Sequence, residues 1–350
     1  MNLASDNTSG IAPEIMAALA RANEGAAMPY GEDEITARLD KAFTGLFETQ
    51  VKAFPVATGT AANALALALV TPPYGVIYCH EASHVAVDEC GAPEFYAGGA
   101  KLVPLAGEHG KLKPADVDDV VARGGAGIVH QAQPAAVSLT EATECGTVYT
   151  AEEVAALTEV ARRHGLSVHM DGARFANAVA ALGCAPADVT WRAGVDLLSF
   201  GATKNGAMAA EAVVVFDRAL AETLDYRRKR AGHLLSKMRY VSAQLEASIG
   251  GGLWLKYAAH ANRLAARLAE GLAALSGASL CHPVEANEVF VTLPEPVIEG
   301  LIAEGHVFYR WEDPGSTTVR LVPSFNTRED DIEAFLAAAR RLAERAAATA

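Results

Sequence analysis

Near the middle of the chain, two short apolar runs each end abruptly in polar residues. Residues 166–170 are followed by Asp171 and Arg174, and residues 195–200 are followed by Lys204 in a loop of Gly, Ala, Thr and Asn. Runs of this length and composition are typical of strands that are buried on both faces of a parallel sheet. Ligands bind beyond the carboxyl ends of such strands, which is where these polar residues fall. The pattern therefore predicts an α/β fold with a polar site at one edge of its sheet.

Further strand-like runs alternate with helical stretches before residue 240. Residues 151–163 place Val154, Leu157 and Val160 on one helical face. This alternation predicts a mostly parallel sheet that helices cover on both faces. Residues 210–216 follow Lys204 too closely for a helical crossover, so we expect an antiparallel strand there. The remaining strand-like runs are residues 76–79, 100–105, 127–131, 166–170 and 197–200.

The pattern changes after about residue 240. A long helical stretch at residues 253–275 precedes three strand-like segments, and a helical stretch at residues 327–348 closes the chain. This part predicts a smaller α+β lobe. We therefore divide the chain into an N-terminal arm with a large domain, residues 1–240, and a small C-terminal domain, residues 241–350. The three strand-like segments are residues 288–293, 307–311 and 317–322.

An aspartate and a lysine at neighbouring strand ends are the two groups that pyridoxal 5'-phosphate (PLP) needs. Lys204 would form a Schiff base with the PLP aldehyde, and Asp171 would keep the pyridine nitrogen protonated. Taken singly, each residue has an ordinary explanation, since a strand-end aspartate often caps a helix and a lysine is usually a solvated surface charge. Their combination favours a PLP site.

A third part of the predicted site lies upstream. Thr58, Gly59 and Thr60 come immediately before an Ala/Leu-rich helical run. Free backbone N–H groups and the helix dipole make such a start a good anion site, and a glycine lets the backbone approach a phosphate closely. Alone, this segment is equally typical of a capped, buried helix. Beside an aspartate and a lysine, it predicts the phosphate-binding loop.

At this point the chain resembles the L-threonine aldolases of the low-specificity type, which are PLP enzymes of the aspartate-aminotransferase-like fold (fold type I). The resemblance runs nearly end to end and rests on six motifs in the family's order. It implies a mostly parallel seven-stranded sheet in the large domain and a smaller α+β domain. The motifs are residues 4–8, 30–33, 83–85, 170–174, 200–206 and 319–323.

The resemblance also implies an activity in amino acid metabolism. Such a lyase cleaves L-threonine, L-allo-threonine and related β-hydroxy-α-amino acids, phenylserine among them, to glycine and an aldehyde. It implies a homo-oligomer, a dimer or homotetramer, whose subunits share active sites. Two other functions stay open: a PLP-dependent β-eliminating lyase acting on an aromatic or sulfur amino acid, and a PLP-binding protein without catalysis.

Most site residues lie in the matched motifs, and Arg239 is named because the resemblance implies phosphate contacts from a similar basic segment. The resemblance assigns catalysis to Lys204, His84 and Asp171, with His84 stacked on the PLP ring. Arg320 lies within an apolar strand-like run, where a charge is costly unless paired, and its fork suits a substrate carboxylate. The other cofactor contacts are Thr58, Gly59, Thr60, Arg174 and Arg239, and the substrate contacts are Ser5, Tyr30, Arg174 and Arg320.

One segment departs from the family pattern. Many members carry Glu-Asn-Thr-His where this chain has Glu-Ala-Thr-Glu at residues 141–144. The resemblance therefore implies that a second active-site histidine is missing. The general base of the reaction stays open from sequence alone.

The composition of the chain bears on its partners, its cysteines and its location. The formal net charge of −13 argues against nucleic acid and anionic membranes as partners. Five cysteines are scattered without CxxC spacing, so we expect reduced thiols and no metal site. Apolar stretches fall short of membrane-spanning length, and the N-terminus lacks the basic start of a signal peptide. We therefore expect a cytoplasmic enzyme that acts on a small amino acid.

Overall fold

Two β-sheets organise the chain in its computed structural model, which describes residues 1–311 and 313–349. The larger sheet has the strand order β1-β7-β6-β5-β4-β2-β3, and β2, β3, β4, β5 and β6 run parallel. The predicted mostly parallel seven-stranded sheet is confirmed. Its strands are β1 (Lys52–Val56), β2 (Gly75–His80), β3 (Lys101–Leu105), β4 (Gln133–Thr140), β5 (Ser167–Gly172), β6 (Leu197–Gly201) and β7 (Glu211–Val215).

The expected antiparallel strand is also confirmed. Strand β7 pairs antiparallel with β6 and with β1, so it lies between two strands that run opposite to it. The connection from β6 holds only a short 3₁₀ turn, Thr203–Asn205, which cannot carry the chain back across the sheet. Lys204 is thereby kept at the edge where β6 ends.

The prediction of a strand at residues 127–131 is wrong. These residues form turns, and β4 begins after them at Gln133. Gly125 and Gly127 take positive φ angles of 69° and 79°, and Val129 is 91% exposed. The side chain of Gln133 holds the turn, accepting from the Gly127 amide and donating to the Ile128 carbonyl. Apolar side chains here therefore face solvent, while the buried strand contains a proline and small residues.

Helices cover both faces of the large sheet and one face of the small one. They are α1 (Pro13–Ala22), α2 (Glu34–Phe47), α3 (Gly59–Val70), α4 (His84–Val87), α5 (Ala92–Tyr96), α6 (Pro114–Ala122), α7 (Ala151–Arg163), α8 (Phe175–Leu182), α9 (Leu224–Arg230), α10 (Arg239–Ile249), α11 (Leu253–Ala273), α12 (Glu295–Ala303) and α13 (Glu329–Thr349). Among the described residues, no helix combines the length and apolarity needed to cross a bilayer.

The second sheet is antiparallel and has its own core. Its order is β10-β11-β9-β8, and its strands are β8 (Ser279–Leu280), β9 (Val289–Thr292), β10 (Tyr309–Arg310) and β11 (Thr318–Leu321). Leu3 is buried in this core, and the backbone at Asn2 bridges to Val307. The N-terminal arm therefore reaches across to the C-terminal lobe. The division at residue 240 stays a prediction.

Helix α11 connects the two cores. Trp254, near its start, is buried against Phe175 and Phe200 with ring centroids 6.1 and 5.7 Å away. Leu268, further along, packs in the core of the small sheet. The Trp254 carbonyl also accepts a 2.8 Å hydrogen bond from Asn205, the residue after Lys204. The aromatic core thus supports the loop that presents the lysine.

We expect Trp254→Ala to lower the free energy of unfolding by about 3–5 kcal/mol, because a large buried ring leaves a cavity that cannot collapse fully. Urea denaturation of the purified protein measures this loss. Tyr74→Ala, at a side chain that is mostly exposed, is the control and should change stability by less than about 0.5 kcal/mol. A loss below about 1 kcal/mol for Trp254→Ala would contradict the supporting role of this ring.

Candidate active site

Two adjoining cavities open where the parallel strands of the large sheet end. The first, of about 390 Å³, lies beyond β1, β2, β4, β5 and β6. The second, of about 780 Å³, is bounded by the N-terminal arm, residues of α4 and the small lobe. Five residues line both: Asn7, His84, Glu144, Arg174 and Lys204.

Most of the predicted site residues line these cavities. Ser5 and Arg320 line the second, and Tyr30 and Arg239 line neither. The Tyr30 ring lies under the Lys229 ammonium at 4.4 Å, and Arg239 donates to the Gly25 carbonyl. Their roles stay predictions. The predicted residues that line the first cavity are Thr58, Gly59, Thr60, His84, Asp171, Arg174 and Lys204.

Helix α3 begins at the wall of the first cavity. Thr58 is its N-cap, with an extended backbone and a side-chain oxygen that accepts from the Ala61 amide at 3.1 Å. The helix is apolar almost throughout and buried, so its dipole is little screened by water. Among the described residues, apart from its chain neighbours and its own helix backbone, no atom lies within 4 Å of the position that a Cβ on Gly59 would take. Open space at a helix N-terminus suits an anion such as phosphate.

Asp171 is held in place at the end of β5. It is 3% exposed, and its Oδ1 accepts from the Ala173 amide at 3.0 Å. Its Oδ2 accepts from Asn63 Nδ2 at 2.7 Å. Asn63 was missed by sequence reasoning, although a single polar residue in an otherwise apolar helical run was a usable signal. Two donors fix the carboxylate at the cavity wall.

A chain of hydrogen bonds joins Asp171 to His84. The second hydrogen of Asn63 Nδ2 goes to Glu89 Oε1 at 2.8 Å, and the same oxygen lies 2.9 Å from His84 Nδ1. Burial raises the pKa of the Glu89 carboxyl, whereas the hydrogen bond to Glu89 raises the pKa of His84. Sequence reasoning missed Glu89 too, although it lies only five residues after His84, because its other partner, Asn63, comes from a different segment.

Glu211 is a further acidic residue of the first cavity that sequence reasoning missed. It opens β7, is 6% exposed, and accepts from the Ala202 amide at 3.2 Å. Burial raises its pKa to about 7, although the nearby Lys204 ammonium opposes that rise. The antiparallel β7 therefore brings a carboxyl group to the edge where the parallel strands end.

The second cavity contains a cluster of buried charges. Arg174 makes a two-point ion pair with Asp6, Nε–Oδ2 at 2.8 Å and Nη2–Oδ1 at 3.1 Å. Its third nitrogen, Nη1, lies 3.0 Å from Glu288 Oε2. Arg174 is thus occupied by carboxylates of the protein itself. Burial raises the pKa of Glu288 above its ordinary value, with Arg174 and Arg320 opposing that rise.

Arg320 has more unused hydrogen-bonding capacity than Arg174. Its Nη2 donates to the Ala4 carbonyl at 3.1 Å, and its Nη1 lies 3.8 Å from Glu288 Oε1. Within the described chain its buried Nε has no hydrogen-bond partner. The guanidinium is stacked by Tyr309 and Trp311, at 5.5 and 4.9 Å from their ring centroids. A preoriented cation with an unused donor suits an incoming carboxylate.

Comparisons with known proteins agree with this site. A family model described as beta-eliminating lyase matches residues 2–296. The chain is 49% identical over 330 residues to a low specificity L-threonine aldolase of Pseudomonas aeruginosa, covering 94% of this chain and 93% of that protein. It is 46% identical over 326 residues to the enzyme of that name from a Pseudomonas strain, with 93% of each covered. A solved structure of Leishmania major threonine aldolase superposes with a TM-score of 0.91 at 29% identity, covering 98% and 99%.

We expect Glu89→Gln to lower the pKa of His84, because the substitution removes the carboxylate whose hydrogen bond raises it. Titration of 13C-labelled histidine by NMR measures that pKa directly. His233, which lines neither cavity, is the internal control and should keep its pKa. An unchanged His84 pKa in the variant would contradict the pairing of these two side chains.

Proposed function

The chain belongs to the beta-eliminating lyase family, and from this premise we propose that it is a PLP-dependent carbon–carbon lyase of the threonine aldolase type. Its substrates would be L-threonine, L-allo-threonine and related β-hydroxy-α-amino acids such as phenylserine, and its products glycine and an aldehyde. The observation that supports this best is the meeting of Asp171, Lys204 and the open start of α3 in one cavity, with Arg320 in the adjoining one.

The residues present fit PLP. The open space beside Gly59 at the start of a buried helix suits the phosphate. The fixed carboxylate of Asp171 suits a protonated pyridine nitrogen, and Lys204 supplies the primary amine for covalent attachment. When bound, PLP would supply an electron-accepting ring that stabilises the negative charge left on the substrate's α-carbon.

Other side chains would hold the rest of the cofactor. Thr58, Gly59 and Thr60 would hold the phosphate, and His84 would pack against the ring, oriented by Glu89. Arg239 and Tyr30 lie at the surface of the single chain, so we assign them to a site that a second subunit completes. We propose a homo-oligomer, dimer or tetramer, on this basis, and a cytoplasmic location from composition alone.

Arg320 and Ser5 would bind the substrate carboxylate, with Arg174 close by. By pinning the carboxylate, these residues would fix the orientation of the substrate's α-carbon and so which of its bonds reacts. Arg320 is suited to this task because its contacts with the Tyr309 and Trp311 rings restrict the plane of the guanidinium. Arg174 would act mainly by holding Asp6 and the arm that carries Ser5.

One assay tests the proposal against its alternatives. Purified protein supplied with PLP is incubated with L-threonine, with phenylserine, and with aromatic and sulfur amino acids. Glycine with acetaldehyde or benzaldehyde supports the aldolase. An α-keto acid with ammonia would instead indicate a β-eliminating lyase, and bound PLP without any product would indicate a binding protein.

We expect Lys204→Ala to lose both the yellow colour of lysine-bound PLP and threonine cleavage, because only a primary amine can attach the cofactor covalently. Absorbance after dialysis and borohydride labelling followed by peptide mass spectrometry measure the attachment. Lys52→Ala, which removes only a surface ion pair with Asp40, is the matched control and should keep both. Borohydride labelling of the Lys204→Ala protein would show that another lysine carries the cofactor.

We expect Arg320→Ala to bind PLP normally but to cleave threonine with a higher KM and a lower kcat. The reason is that the guanidinium supplies both binding energy and the orientation at the α-carbon. Steady-state kinetics and glycine titration measure the effect. Arg320→Lys should restore only part of the activity, since lysine lacks the planar fork. Normal kinetics in Arg320→Ala would place the carboxylate site elsewhere.

A further inference from the structure

Glu144 stands where the two cavities meet. It lines both of them, together with His84 and Lys204. It is partly buried and follows β4 at the carboxyl edge of the sheet. Glu144 therefore belongs to the wall that the two cavities share.

One oxygen of Glu144 has a structural task. Oε1 accepts from the His84 amide at 2.8 Å and from Thr140 Oγ1 at 2.9 Å. His84 begins α4, whose N-cap residue Ser83 makes no side-chain cap bond. Glu144 thereby replaces the missing cap with an acceptor from another segment. Its other oxygen, Oε2, has no hydrogen-bond partner among the described residues.

The other acidic groups around the cavities already have hydrogen-bond or ion-pair partners, or lie away from the wall that the two cavities share. Asp171 accepts two hydrogen bonds, and Glu211 accepts from the Ala202 amide and from Thr203. Glu288 lies between two arginines. Asp88 is exposed and lines only the second cavity. Among the described residues of the shared wall, Glu144 is thus the carboxyl group with an unused oxygen.

We propose that Glu144 is the catalytic base that takes the β-hydroxyl proton of the substrate, a role that rests on the proposed function. The O–H bond breaks and the proton goes to Oε2. The electron pair of that bond becomes the second bond of the aldehyde carbonyl, while the Cα–Cβ pair stays with the α-carbon. The glycine fragment then takes up one proton, so the overall reaction neither gains nor loses one.

The electrostatics of the position support this role. Burial, reinforced by the nearby Asp171 charge, raises the pKa of Glu144 to about 7. A base with a pKa near the working pH is effective in proton transfer, and an ordinary glutamate is much weaker. The two hydrogen bonds to Oε1 leave Oε2 as the site that receives the proton.

The test compares Glu144→Gln with wild type in the PLP-loaded protein. Glutamine keeps an oxygen for the His84 amide and Thr140 but cannot accept a proton at neutral pH. Three quantities are measured: bound PLP, threonine cleavage, and exchange of the glycine α-proton with deuterated solvent by NMR. The exchange needs PLP and the Arg320 contact with the glycine carboxylate but involves no hydroxyl proton.

We expect Glu144→Gln to bind PLP and to retain most of the glycine exchange. Its kcat for threonine should fall by at least about 100-fold, with KM changed little, since general base catalysis contributes about that much. Glu144→Asp should recover part of the lost kcat because it restores a carboxylate. Glu152→Gln, at an exposed position on α7, is the matched control and should behave like wild type.

Two results would overturn the role. Cleavage at the wild-type rate in Glu144→Gln would mean that the side chain only caps α4. Joint loss of PLP binding, glycine exchange and cleavage would mean that it only supports the site. Failure of the wild-type protein to cleave any β-hydroxy amino acid is a different result, which refutes the proposed function and this role with it.

Discussion

The ion pairs of Arg174 are the interaction on which the site depends. This side chain follows β5 of the large sheet, and its nitrogens meet Asp6 of the N-terminal arm and Glu288 beside the small sheet. Three distant parts of the chain are thereby held at one point. Charges this deeply buried are stable only while all partners are present, and removal of one costs about 3–5 kcal/mol. The arrangement is therefore specific, even if its net contribution to stability is small.

The two arginines differ in their pairing because of these ion pairs. Arg174 is enclosed by carboxylates of the protein, whereas the Nε of Arg320 has no hydrogen-bond partner among the described residues and its guanidinium lies over two aromatic rings. Arg174 is therefore a cation that is already neutralised, whereas Arg320 is one that is available. The arm that carries Ser5 is placed beside the available one, because Ala4 accepts from Arg320 and Leu3 is buried in the small-lobe core.

The sequence predictions were correct where the relevant residues lie close together along the chain. The placement of Asp171 and Lys204 at the ends of β5 and β6 follows from short apolar runs that stop at polar residues, and both strands are confirmed. The family resemblance, the fold and the threonine aldolase type of lyase are confirmed by the comparisons. The error at residues 127–131 has a physical cause, since apolar residues indicate burial only when the backbone turns them inward.

The sequence by itself determined five of the seven strands of the large sheet, the aspartate and lysine at neighbouring strand ends, and the glycine-containing start of α3. These depend on neighbours along the chain and on the rule that parallel strands share one carboxyl edge. Only the tertiary structure decided that Asn63 joins Asp171 to Glu89. It also decided that, within the described part of the chain, Arg320 rather than Arg174 has a free donor and Glu144 keeps an unused oxygen between two cavities. Each of these depends on distances between segments far apart in sequence, and hydrogen bonds and ion pairs require contact of a few ångströms that no local pattern encodes.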